Sequence, residues 1–182
     1  MLGLVGNYGI LTGEPRAGGS GAVSGHRVTV VRTGKANTVS LEDKLAIQEV
    51  IAQYSYTYDA QDAEGFAALF TEDAVWERFA WGATRPEIRL TSRAAIRAWA
   101  AQRLQERRGR YTSRHYQSGL LFDELTSSAA RTRTMVLITH QNITEATPRL
   151  TASGVYHDQW RKTQEGWRFA YRILRCDSRT PQ

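Results

Sequence analysis

Tyr58 and Asp59 stand side by side, and His115 and His140 follow at a distance along the chain that only a fold can close. An imidazole beside a carboxylate is what general base catalysis needs. The ring accepts a proton near neutral pH, and the acid fixes its tautomer and stabilises the cation that forms. A tyrosine adds a phenolic O–H that can polarise a substrate oxygen, and a second histidine adds a proton donor. Together these residues supply a base, its orienter and an acid. The other histidines have weaker credentials. His26 lies in a glycine-rich stretch, and His157 in YHDQWRK alternates against Tyr156, Asp158 and Trp160, so it faces away from the aromatic side of its strand. No pair of histidines has metal-ligand spacing such as i, i+4 on a helix, and Cys176 is the single cysteine, so neither a metal site nor an intrachain disulfide is expected.

The element that must position Tyr58 and Asp59 is a helix. Ser40 followed by Asp43 resembles a capping box, and Ile47, Ile51, Tyr54 and Tyr58 recur at helical spacing as one apolar stripe. Asp59 at the C-terminal end sits against the negative end of the helix dipole and needs a cation or hydrogen-bond donors from elsewhere. Taken alone, the helix leaves a plainer reading open, with Tyr58 as core and Asp59 as a solvated charge before a break. Asp62 then caps a short helix carrying Phe66, Leu69 and Phe70. A strand around Val75 to Phe79 follows, then a loop with Gly82 and Pro86. Thr91 and Ser92 offer caps for a third helix, with Ile96, Trp99 and Leu104 on its inner side, that Arg108-Gly109 stops.

From Arg110 the pattern turns to β. Four strands, about Tyr111 to Leu125, Arg131 to Gln141, Leu150 to Lys162 and Trp167 to Arg175, are joined by short turn-like stretches, which predicts an antiparallel meander. If the first hairpin turns between Ser127 and Ser128, His115 and His140 are directly opposed and project to one face. Helices first and a long antiparallel sheet afterwards make an α+β domain. The helices pack on the concave face of a sheet that must curl, and a pocket forms between them.

Composition bounds the partners. At 182 residues, 41% hydrophobic and 10% aromatic, the chain suits one domain with a real core. Residues 1–38 hold nine of the 15 glycines and one short apolar run, Val28 to Val31, and are expected to be a flexible arm; the domain is expected over 39–177 and a tail over 178–182. All but three of the 24 basic residues are arginines, but they are spread among acids. The cluster Arg103, Arg107, Arg108, Arg110 and Arg114 reads as a solvated helix end, so no nucleic-acid partner is expected. There is no apolar run long enough for a membrane span and no convincing secretory signal, which makes a cytoplasmic protein the expectation.

The segments YTYDAQDAEGFAALFTEDAVW, SRAAIRAWAAQRL, SRHYQSG and GVYHDQWRKTQEGWRFAYR, within residues 40 to 175, resemble the SnoaL-like branch of the cone-shaped NTF2-like superfamily. The nearest motifs are those of scytalone dehydratase and bile-acid dehydratase. By that resemblance Tyr58 and Asp59 match the Tyr-Asp pair that ends the first long helix, His115 the histidine paired with that Asp, and His140 the second histidine of scytalone dehydratase. Ser153 corresponds to a polar pocket residue, and Tyr54 and Trp76 are expected to join it in binding substrate. The resemblance implies a dehydratase acting without a cofactor on a small hydrophobic cyclic substrate, polyketide- or steroid-like, and a homo-oligomer, dimer or trimer. The same cone also serves isomerases, cyclases, plain ligand binders and dioxygenase β subunits, and one further active-site tyrosine of the dehydratase has no clear match near Trp76, Arg78 and Phe79.

Overall fold

The computed structural model of the chain describes residues 41–178. Ser40, the glycine-rich segment 1–38 with His26 and Val28 to Val31, and residues 179–182 lie outside the described residues. Helix α1 spans Leu41–Asp59, α2 Ala63–Ala68 and α3 Arg93–Arg107; the strands are β1 Phe70–Phe79, β2 Ile88–Thr91, β3 Tyr111–Leu125, β4 Ala129–Asn142, β5 Arg149–Thr163 and β6 Gly166–Cys176. The caps of α2 and α3 are in place, with Asp62 accepting from the Gly65 N–H at 2.9 Å and Ser92 from the Ala95 N–H at 3.1 Å.

All six strands form one sheet in the order β2-β1-β6-β5-β4-β3. The predicted meander is its β3–β6 part. Two features are additional: β1 runs parallel to β6, and β2 forms a second edge by pairing with β1 through Trp76–Leu90 and Glu77–Arg89. The stretch around β2 reads as loop in the sequence because its four residues, Ile-Arg-Leu-Thr, are too few to show alternation beside Gly82 and Pro86.

The α1 stripe is buried as its spacing requires, with Ile47, Ile51, Tyr54 and Tyr58 at 0 to 5% exposure against the inner face of the sheet. Each such side chain removed from water contributes about 1.5–3 kcal/mol. Tyr54 lies at the centre, its ring 4.8 Å from Phe66, 5.7 Å from Tyr156 and 5.8 Å from Phe169. The Asp43 carboxylate crosses to the sheet instead of serving only its own helix end, accepting from Lys162 Nζ at 2.6 Å and Trp167 Nε1 at 2.8 Å.

A charged pair lies inside this apolar core. Arg172 and Asp158 are wholly buried, 3.5 Å apart, and the Arg172 guanidinium lies over the Tyr156 ring at 3.6 Å and the Tyr54 ring at 3.9 Å. Burial pushes the Asp158 carboxyl up to about 7, against the opposing pull of Arg172. Its folded value lies above its unfolded one, so the folded chain binds the extra proton. The stabilisation is therefore complete below the unfolded carboxyl range and is lost as pH rises toward 7. Thermal melts should show wild type losing on the order of 2 kcal/mol more than Asp158→Asn between pH 5 and 8. Parallel pH profiles for the two proteins would refute the assignment.

Candidate active site

Asp59 is the last residue of α1, and β3 supplies the donors that its place on the helix dipole demands. Ser113 Oγ–H lies 2.9 Å from Oδ1, the His115 backbone N–H 2.9 Å from Oδ2, and His115 Nδ1 2.7 Å from Oδ1. Strand alternation explains the convergence, because Ser113 and His115 are two residues apart and project to the same face. Both side chains of the Asp59–His115 pair are only 8% exposed. With both carboxylate oxygens accepting, the ring proton belongs on Nδ1, and Nε2 keeps its lone pair.

His115 borders a cavity of about 200 Å³ between the helices and the sheet, walled by Tyr54 and Tyr58 from α1, Trp99 and Arg107 from α3, and Trp76 and His140 from the sheet. Trp76 Nε1–H donates to Tyr54 Oη at 3.2 Å. The Tyr58 ring meets His115 edge-on at 5.1 Å, and its hydroxyl accepts from Arg107 Nη1 at 3.4 Å. Burial pushes the Tyr58 phenol up to about 12, so it stays a protonated donor at neutral pH.

His140 reaches the cavity, but not directly opposite His115. The register pairs His115 with Ile138 and His140 with Ser113, because shifts between Ser118 and Leu121 and between Phe122 and Glu124 offset the hairpin by two residues. Gly119 lies in the first irregularity at φ +65°, the left-handed region that a β-bulge draws on. Two single shifts restore the original face, so both histidines still border one cavity. Burial first, and then the charges of Arg107 and His115, lower the His140 pKa, with Asp59 acting the other way. A neutral ring at neutral pH fits a hydrogen-bonding role better than that of a resident acid.

Ser153 does not border the cavity. It pairs with Leu137 on the opposite face of the sheet, and Thr151, Ala152 and Tyr156 form the β5 wall instead. His157 also lies on that outer face, beside Asp123 and Arg175, as its alternation predicts. The arginine cluster needs a larger correction. Arg103 and Arg107 extend the α3 row that begins at Trp99 and both border the cavity; Arg107 is half-buried, whereas Arg103 is exposed, as are Arg108 and Arg110. The i, i+4, i+8 spacing was readable in the sequence, as was the Ser-x-His pattern of Ser113 and His115.

The SnoaL-like domain family matches residues 39–173 of the chain. Among solved structures, a protein of unknown function from Mycobacterium tuberculosis is 32% identical over 76% of this chain and 78% of its own, with a TM-score of 0.63. A protein provisionally assigned as a scytalone dehydratase, from Novosphingobium aromaticivorans, is 27% identical over 78% of this chain and 89% of its own, also with a TM-score of 0.63. The β subunit provisionally assigned to an aromatic-ring-hydroxylating dioxygenase of the same organism shares the fold at a TM-score of 0.64 and 17% identity, over 76% of this chain and 91% of its own. None of the curated proteins matches the chain.

Proposed function

The chain belongs to the SnoaL-like domain family, and from that premise we propose that it is an enzyme that removes a proton next to a carbonyl of a small cyclic substrate, most simply as a dehydratase. The observation that carries this reading is the 2.7 Å bond from His115 Nδ1 to a carboxylate whose other oxygen is also occupied. It leaves Nε2 as a base beside a cavity that has its own phenolic donor.

In this reading Nε2 takes the proton from the carbon α to the carbonyl, and Asp59 stabilises the imidazolium. The electron pair moves onto the carbonyl oxygen, where the Tyr58 O–H meets it. As the enolate collapses, a carbon–carbon double bond forms, the β C–O bond breaks, and the departing hydroxyl leaves as water with the proton carried by His115. His140, neutral, orients that hydroxyl through its ring N–H. Side chains alone carry every proton, and each positioned group typically contributes about 10²–10⁴ in rate. Without a leaving group the same parts return the proton to another carbon, which is an isomerisation. About 200 Å³ lies below the usual range for drug-sized ligands, which favours a one- or two-ring substrate over a steroid. The reading includes a homo-oligomer, since Tyr116, Met135 and Leu137 stand together on the outer face at 59, 55 and 49% exposure.

Proton exchange tests the reading directly. In D₂O, wild type should wash deuterium into the α position of at least one enolisable cyclic ketone from a panel followed by NMR, and His115→Gln should not. Exchange at equal rates in both proteins, or binding of panel members with no exchange at all, would favour a plain ligand binder.

A further inference from the structure

Charge in the cavity is unbalanced. Among the described residues, three arginines, Arg78, Arg103 and Arg107, and two histidines border it, and no Asp or Glu does. Asp59 stands behind His115 with both oxygens occupied. Arg78 pairs with Glu87 at 2.7 Å and Arg103 with Glu106 at 3.5 Å. Arg107 has no carboxylate partner among the described residues. Its guanidinium rests between two aromatic rings, 5.9 Å from the centre of Tyr58 and 5.5 Å from that of Tyr111, and it donates to the Tyr58 hydroxyl at 3.4 Å.

Such an arrangement has costs that a neutral substrate would not relieve. Arg103 and Arg107 are like charges at i, i+4, which disfavours the helix. A half-buried cation also loses hydration that aromatic faces replace only in part. The planar fork of a guanidinium matches a carboxylate in two parallel hydrogen bonds.

We propose that the Arg107 guanidinium is a binding site for a carboxylate carried by the substrate, so that the natural ligand is a small cyclic acid. This rests on the reading of the cavity as the reaction site, but not on His115 being the base. The carboxylate would anchor one end of the ring at α3 and present the opposite end to Nε2. A purely structural Arg107, bracing Tyr58 and the end of α3, would instead affect acidic and neutral ligands alike.

Trp76 and Trp99 border the cavity and report occupancy through their fluorescence. Titrations of 2-naphthoate and of its neutral amide, 2-naphthamide, into wild type, Arg107→Gln, Arg107→Lys and His115→Gln give the test. Wild type should bind the acid about 10- to 100-fold more tightly than the amide, the range for a charge-assisted hydrogen bond. Arg107→Gln should abolish that preference while leaving amide affinity within about twofold, and Arg107→Lys should keep part of it because the charge remains without the fork. His115→Gln should retain the preference even if the exchange experiment finds it no different from wild type, which separates failure of the catalytic reading from failure of this one. Equal affinity of acid and amide in wild type, an equal loss of both in Arg107→Gln, or no quenching by either compound at millimolar concentration would overturn the proposal.

Discussion

Replacing His115 with glutamine should remove at least about 10²-fold of turnover while leaving the domain folded, because the change deletes a proton acceptor and little else. The glutamine amide can still donate to Asp59 Oδ1, where Nδ1 now donates at 2.7 Å, and the backbone N–H of residue 115 still reaches Oδ2 at 2.9 Å. What is lost from the packing is an edge contact with Tyr58 at 5.1 Å and one with Tyr54 at 6.5 Å. A change of that kind costs about 1 kcal/mol, well within the stability of an ordinary domain. The amide cannot be protonated at neutral pH, so no residual general-base catalysis is available at that atom. A variant that melts within a few degrees of wild type and keeps more than about a tenth of its turnover would remove His115 from the mechanism.

How legible this site was depended on whether the deciding interaction was local. The α1 stripe of Ile47, Ile51, Tyr54 and Tyr58 is a period in the chain itself, and it is buried as that period requires. The need of Asp59 for donors followed from the helix dipole. The identity of one of them, Ser113, did not, because it is set by where β3 passes under α1. The pairing of His115 with His140 failed as a register and held as a shared face. Gly119 inside a strand was the available sign of a bulge, but the second irregularity, near Asp123, has no glycine to mark it. Arg107 was misread because cations at a helix C-terminus have a sufficient local explanation in the dipole. Only the tertiary placement of α3 over the cavity shows that Trp99, Arg103 and Arg107 form one row that borders it. Ser153 was assigned by likeness, and its strand parity, opposite to that of Tyr156, already pointed to the other face.

The Asp59→Asn variant is the sharper experiment, because its geometry forces a choice that a carboxylate avoids. Asp59 now accepts three hydrogen bonds on two oxygens, two of them from His115. Asparagine has one acceptor oxygen and one NH₂. If the oxygen faces Nδ1–H, the NH₂ meets the His115 backbone N–H, donor against donor in a site only 8% exposed. An unmade bond of that kind costs about 1–3 kcal/mol. If the oxygen faces the backbone N–H, the NH₂ faces Nδ1, and the ring must move its proton to Nε2 to accept it. Ser113 loses nothing in this second orientation, because its hydroxyl can turn and accept. The second orientation should therefore dominate, leaving His115 with a proton where its lone pair is needed. A carboxylate-to-amide change that imposes the wrong tautomer costs about 10⁴ in kcat in the serine-protease triad. The loss expected here is about 10²–10⁴, in kcat more than in KM, and therefore no milder than removing the base. Nitrogen NMR of the histidine ring supplies the readout that a merely structural role would not move, with the proton shifting from Nδ1 in wild type to Nε2 in the variant. Ser113→Ala, which removes one neutral donor and leaves the tautomer alone, should cost about tenfold or less. An asparagine variant with the proton on Nε2 and turnover within tenfold of wild type would show that Nε2 is not the base.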